Sequence, residues 1–186
     1  MSSSIGGPGP FKHETNFVKA VLDNYSSKKN QIRAGIILYG KQATLKIKLN
    51  DYTKLEDFKN AVDTKVKFKG STHTRIDLAL ELANEELFTE ANGDRPGVPN
   101  YLVLITDGKQ NSGNWLLDHT FAQRSAKPLW DRNITIFAVG VARASRRQLK
   151  KVVGKTGTVI YRRKLTQLKE AVDLIIPSQC KGMCFL

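Results

Sequence analysis

Short polar side chains cluster at three places in this chain. Ser2-Ser3-Ser4-Ile5-Gly6 opens the sequence, Gly70-Ser71-Thr72-His73-Thr74 precedes a long helical pattern, and Ile105-Thr106-Asp107-Gly108 ends an apolar run. Each cluster falls in a loop at the end of an expected element, where backbone turns let short side chains point at one spot. Hydroxyl and carboxylate oxygens are hard ligands, suited to Mg²⁺, Mn²⁺ or Ca²⁺ rather than to zinc or copper. Neutral hydroxyl ligands leave the ion much of its positive charge, so it can take a carboxylate from another molecule as its last ligand. Plainer readings stand beside this one. Ser2 to Ser4 reads equally as an ordinary terminus, Thr72 as the cap of the helix that follows, Asp107 as a turn residue before glycine, and His73 as a loop side chain.

No catalytic set accompanies the clusters. Neither cysteine has a histidine nearby, and Gly-x-Ser-x-Gly is absent. Gly154-Lys155-Thr156 resembles the end of a phosphate loop, but Leu149 stands where that motif needs glycine, and no apolar strand leads into it. Zinc is not indicated, because the three histidines lie far from Cys180 and Cys184. Those cysteines either pair with each other or with cysteines elsewhere.

The elements that must position the clusters follow from periodicity. Residues 12–25 place Phe17, Val18, Val21, Leu22 and Tyr25 at helical spacing, with Pro10 just ahead. Residues 32–39 are a short isoleucine-rich run that predicts a buried strand. Residues 43–49 alternate, with Leu45, Ile47 and Leu49 on one face and lysines on the other, as in a guarded edge strand. Gly40-Lys41-Gln42 predicts a hairpin between them. A helix is expected over 53–64, with Thr53 and Glu56 in a capping box. A long helix is expected over 75–90, broken at Asn92-Gly93. Tyr101 to Thr106 and residues 134–141 read as central strands covered on both faces. Helices are expected over 115–127, 145–153 and 165–176, with a last short strand at 159–161.

Strands thus alternate with helices, which predicts a three-layer α/β/α doubly wound fold: a mostly parallel sheet with one antiparallel edge strand. Ligands of such folds bind outside the carboxyl ends of the strands, where Thr106-Asp107-Gly108 lies. The 186 residues suit one domain, taken as 1–177, with a cysteine-containing tail at 178–186. No run approaches the roughly 18 apolar residues of a membrane span. The small, polar N-terminus does not read as a signal peptide. Asn24-Tyr25-Ser26 and Asn133-Ile134-Thr135 match the glycosylation acceptor pattern.

Lys and Arg number 30 against 17 Asp and Glu, a formal net charge of +13. Such a field attracts polyanions, although a solvated lysine-rich surface gives the same totals. No nucleic-acid motif accompanies it. The candidate polyanion residues are Arg143, Arg146, Arg147, Lys150 and Lys151, joined by Arg162, Arg163 and Lys164.

The three clusters, in this order and with this strand pattern between them, resemble the metal-ion-dependent adhesion site (MIDAS) of von Willebrand factor type A (VWA) domains, as in matrilins, collagens and integrin inserts. That pattern is Asp-x-Ser-x-Ser, a threonine within Gly-x-Thr-x-Thr, and Thr-Asp-Gly after an apolar strand. The likeness runs from residue 2 to about 176 and includes Phe137-Ala138-Val139-Gly140-Val141. It implies that Ser2, Ser4 and Thr72 bind the ion directly and Asp107 through water. It also implies a secreted, non-enzymatic domain that captures an exposed Asp or Glu of a matrix or cell-surface protein through Mg²⁺, or Mn²⁺ or Ca²⁺ in its place. Two departures matter. The pattern's first aspartate falls before residue 1, and with it the central strand that carries it. A gap is therefore expected between the strands at 32–39 and 101–106, as in a piece of a longer chain. A sulfated-glycan binder, or a structural repeat without a working metal site, remain the alternatives. Partners among nucleic acids are not expected.

Overall fold

Long apolar runs with β-branched residues lie at the centre of the molecule. The structure is a computed structural model that describes residues 7–26, 32–112 and 118–175. In chain order the elements are α1 (Pro8–Ser26), β1 (Ile36–Tyr39), β2 (Ala43–Ile47), α2 (Leu55–Lys65), α3 (Ile76–Leu82), β3 (Tyr101–Thr106), α4 (Asp118–Asp131), β4 (Thr135–Val141), α5 (Arg146–Val153), β5 (Thr158–Arg162) and α6 (Val172–Ile175). β3, β4 and β5 form a parallel sheet in that order, with Leu102 opposite Ile136 and Val139 opposite Ile160. β1 and β2 form the expected antiparallel hairpin, Tyr39 opposite Ala43. The doubly wound α/β architecture and the antiparallel edge are thus as the patterning predicts.

Both faces of the strands are covered, which is why they read as continuous apolar runs. On one face Phe137, Val139 and Val141 pack with Phe17 and Leu22 of α1, Phe58 and Val62 of α2, and Leu168 and Ile175. On the other, Leu102, Leu104, Ile136 and Ala138 pack with Ile76 and Leu80 of α3, Ala126 and Leu129 of α4, and Leu149 of α5. The period-two alternation along β4 assigns neighbouring residues to opposite cores.

Several boundaries differ from the periodicity, each for a packing reason. α1 begins at Pro8 rather than after Pro10, since the first helical turn needs no proline N–H, and Phe11 thereby joins the core. α2 has Lys54 at its cap position with no side-chain bond, so the Thr53 capping box does not form; Glu56 and Asp57 favour the first turn by charge instead. The long helix expected over 75–90 is α3 followed by a π turn, Ala83–Leu87, at whose end Leu87 and Phe88 are both buried. α4 continues past Pro128 to Asp131, because Leu129 and Trp130 pack inward beyond it. The last expected helix is a 3₁₀ segment, Leu165–Ala171, followed by α6.

Among the described residues the hairpin and the parallel sheet are separate. β1 and β3 flank one apolar cavity of about 80 Å³, lined also by Phe17 and Val21 of α1 and Leu80 of α3. Tyr39 bridges it. This fully buried side chain donates its hydroxyl to the β3 carbonyl of Ile105, 2.7 Å away. Removing the donor leaves that buried carbonyl short of a partner, which costs about 1–3 kcal/mol. Tyr39→Phe should therefore lower the unfolding free energy by about that amount in urea titrations, with an unchanged denaturant slope.

Candidate metal centre

The loop after β3 takes its shape from a threonine. Thr106, fully buried, accepts the Gly108 N–H through its Oγ1 and donates to the Gly108 carbonyl, each at 3.2 Å. A hydroxyl thus closes the turn at the carboxyl end of a central strand, with Asp107 half-buried beside it.

The loop before α3 is shaped by a serine. Ser71 Oγ accepts the His73 N–H at 3.1 Å and donates to the His73 carbonyl at 2.9 Å. Thr72 is exposed at the loop's tip, its Oγ1 3.0 Å from His73 Nδ1. The cap position of α3 is Arg75. Thr72 therefore does not cap the helix, and His73 is the neighbour of its hydroxyl.

The two loops are tied to each other. Asn111 donates its backbone N–H to the Thr74 carbonyl at 3.0 Å and its side-chain amide to the Thr72 carbonyl at 3.4 Å. Arg75 N–H binds the Gly40 carbonyl at 3.0 Å, which anchors the first loop to the end of β1. Below them sits Asp77, 3% exposed. Its carboxylate accepts from the Arg75 guanidinium at 2.8 and 2.9 Å and from the Gln110 amide at 2.7 Å. Gln110 Oε1 in turn accepts the Asp77 N–H at 3.1 Å. The chain of bonds continues outward. Gln110 N–H donates to Gln148 Oε1 at 2.8 Å, and Gln148 Nε2 to the Asp118 carbonyl at 3.2 Å. Burial pushes the Asp77 carboxyl up, but the Arg75 and Gln110 bonds outweigh it and hold the group below the usual carboxylate range.

Ser2 and Ser4 lie outside the described residues, as do Cys180 and Cys184. Of the four expected ligands, the structure brings Thr72 and Asp107 onto adjoining, mutually bonded loops. Among the described residues no cluster of three or more His, Cys, Asp or Glu could hold a metal ion. The candidate set is therefore hydroxyl oxygen with one carboxylate. Such donors fit a hard divalent cation.

The expected polyanion residues are divided. Arg146, Arg147, Lys150 and Lys151 ride on α5, and Arg143 is exposed in the turn before it. The Arg146 guanidinium lies over the Tyr161 ring, 4.9 Å from its centre. Arg162 is half-buried, 3.6 Å from the Glu170 carboxylate, while Arg163 and Lys164 are exposed beyond β5. Sequence reasoning missed Asp77, Gln110 and Gln148. An acid next to a helix's apolar stripe was a signal for the first; the glutamines carry none.

A parallel sheet wrapped by helices on both faces, with an antiparallel hairpin beside it, defines an α/β domain of the doubly wound type. The von Willebrand factor type A domain model matches residues 1–174, and the chain belongs to that family. Integrin alpha-1 of Gallus gallus is 31% identical over 132 residues, 71% of this chain and 44% of that protein. Matrilin-4 of Mus musculus is 33% identical over 149 residues, 77% of this chain and 22% of its own length. The collagen alpha-5(VI) chain of Homo sapiens is 29% identical over 174 residues, 90% of this chain and 6% of its own. These relatives are matrix and adhesion proteins, and the chain spans less than half of each. The fold is shared with proximal thread matrix protein 1 from the mussel byssus, in a form whose MIDAS motif is occupied by zinc. There the TM-score is 0.82 at 23% identity, over 94% of this chain and 44% of that one. A von Willebrand factor type A structure from Catenulispora acidiphila gives 0.67 at 20% identity, over 88% and 37%. Among the described residues no helix is long and apolar enough to cross a membrane.

A carboxyl held low in the fold stabilises it above its unfolded value, near pH 3.9, and the benefit is lost as pH falls through the folded value. Asp77→Asn should thus be markedly less stable than wild type at neutral pH, with a gap that narrows on acidification. Thermal melts at stepped pH measure this, and a gap independent of pH would exclude Asp77 as the titrating group.

Proposed function

We propose that this chain is a non-enzymatic adhesion domain that captures an acidic side chain of a matrix or cell-surface protein through a divalent cation. Ser2, Ser4, Thr72 and Asp107 would hold the ion. Mg²⁺ is the best match to such hard oxygen donors, with Mn²⁺ and Ca²⁺ next. The bound ion supplies a Lewis-acidic position for the partner's carboxylate. The rest is the work of the protein. The observation that carries the reading is that Thr72 and Asp107 ride on loops bonded to each other through Asn111 and braced from below by Asp77 and Gln110. Pre-set loops of this kind fix ligand positions before anything binds. The Thr72 hydroxyl, 3.0 Å from His73 Nδ1, has two lone pairs, so the oxygen can pair with the ring and still face an ion. The matrix and adhesion relatives support an extracellular setting and a protein partner.

The rival reading, a structural repeat without a working metal site, differs in one measurable respect. Losing even an outer partner of a metal ligand costs roughly 10–100-fold in metal affinity, so losing a ligand should cost at least that much. Titration of the whole chain with Mn²⁺, followed by electron paramagnetic resonance, should show one tight site. Asp107→Ala and Thr72→Ala should each weaken it at least about tenfold with melting temperatures retained. Absence of any Mn²⁺ site in wild type would favour the structural repeat. A site indifferent to both substitutions would move the ion elsewhere.

A further inference from the structure

A basic groove, separate from the candidate ion ligands, runs along the seam of α4 and α5. It consists of two adjoining hollows of about 530 and 630 Å³ that share Lys151. Lys109 and Arg147 stand at one end, Lys150 and Lys155 at the other. None of these five cations is in an ion pair among the described residues. The acid within the groove, Asp118, is buried, and its carboxylate accepts the N–H and hydroxyl of Ser112. Arg147 and Lys151, four residues apart, lie on one side of α5, and Lys155 lines the groove just past the helix end, after Gly154. Five like charges gathered around one groove repel one another, which is a cost the fold bears unless a polyanion lies among them.

We propose that this groove binds a linear sulfated polysaccharide. The lining chemistry selects that class. Between the cations stand neutral hydrogen-bonding side chains, Ser145 in one hollow, where the Gln148 amide is already bonded to Gln110 and Asp118, and Gln123, Asn133 and Thr156 in the other. Amide and hydroxyl groups spaced among cations match a chain that alternates sulfate esters with ring hydroxyls. Single-stranded nucleic acid also carries regular charge, but it draws much of its affinity from stacking on aromatic faces. The aromatic residue in the groove is Trp130, and its ring is already used. Its Nε1 donates to the Val152 carbonyl at 3.0 Å, and Gly154, at φ +67°, presses so close that a Cβ there would stand 2.8 Å from the ring. Arg162, Arg163 and Lys164 do not line the groove. Lys109 and Lys155 join the site in their place.

The test is calorimetric binding of a heparin octasaccharide to the whole chain, made in bacteria so that Asn133 carries no glycan. Wild type should bind at physiological salt, equally well with and without chelator, with an affinity that falls steeply as salt rises. The triple variant Arg147→Gln, Lys151→Gln, Lys155→Gln should lose roughly thirtyfold, and its salt slope should fall by about one for each cation removed. A control with the same net charge, Lys12→Gln, Lys41→Gln, Lys48→Gln, removes exposed cations elsewhere and should lose less than about threefold. Should the triple variant fail to melt cooperatively, the exposed singles Lys109→Gln and Lys155→Gln replace it. Equal losses in the two triples would reduce the effect to overall charge and overturn the site. Tighter binding of an oligonucleotide or polyglutamate of equal charge would overturn the ligand class. Loss of the octasaccharide in chelator would assign it to the metal centre instead, so this proposal fails independently of the adhesion reading.

Discussion

A carboxylate removed from water must be met by donors, and Asp77 is met from both sides of the candidate centre. Arg75 reaches it from the loop before α3, and Gln110 from the loop after β3. A charge this deep would destabilise the fold by several kcal/mol if either partner were lost. The two loops are consequently not independent. Whatever fixes Asp77 fixes the distance between the segment that carries Thr72 and the segment that carries Asp107. Gln148 extends the same network to the start of α5, and Asp118 to the start of α4. One buried acid thereby sets the relative positions of three loop ends around the carboxyl edge of the sheet.

What the sequence made legible is what periodicity and apolar runs can encode. β3 and β4 were visible because a strand covered on both faces cannot afford polar residues. The hairpin was visible because lysines guard its outer face. The Thr106-Asp107-Gly108 turn was visible by its place at the end of such a strand. Boundaries fared worse where packing overrides local preference. The helix widens into a π turn at Ala83–Leu87, just before the buried Phe88, and no local signal predicts a π turn. Leu129 and Trp130 draw α4 past a proline, which pattern reading treats as a stop. Thr53 and Glu56 match a capping pattern, yet the helix starts two residues later, where Leu55 packs against the core. The bracing glutamines were illegible for a different reason. Their role exists only between segments more than thirty residues apart.

The cavity between β1 and β3 lies where the hairpin and the parallel sheet stand apart among the described residues. Apolar side chains from α1 and α3 close over the space from both faces, so it is lined by carbon rather than water-seeking groups. The β3 backbone still presents a carbonyl toward it at Ile105, and Tyr39 answers with a phenolic hydroxyl where a strand would offer an amide. A tyrosine suits that role because its ring packs in the apolar space while its tip donates.

The cationic groove and the candidate ion centre address anions on different length scales. Exposed lysines act through a field that decays over roughly 8 Å at physiological salt, so they raise encounter rates and hold repeated charge without geometric demand. An ion held by fixed oxygen ligands acts over a single bond and discriminates by shape. Lys109 lies two residues from Asp107 on the same loop, at the near end of the groove. An acidic molecule drawn to that loop would therefore meet long-range attraction first and the candidate ion ligands second. The net charge of +13 would thus act on approach, whereas Asp77 and its donors set how the two loops stand to each other. A substitution in one set should leave the other intact unless it reaches Gln110, Gln148 or Asp118, the residues that belong to both.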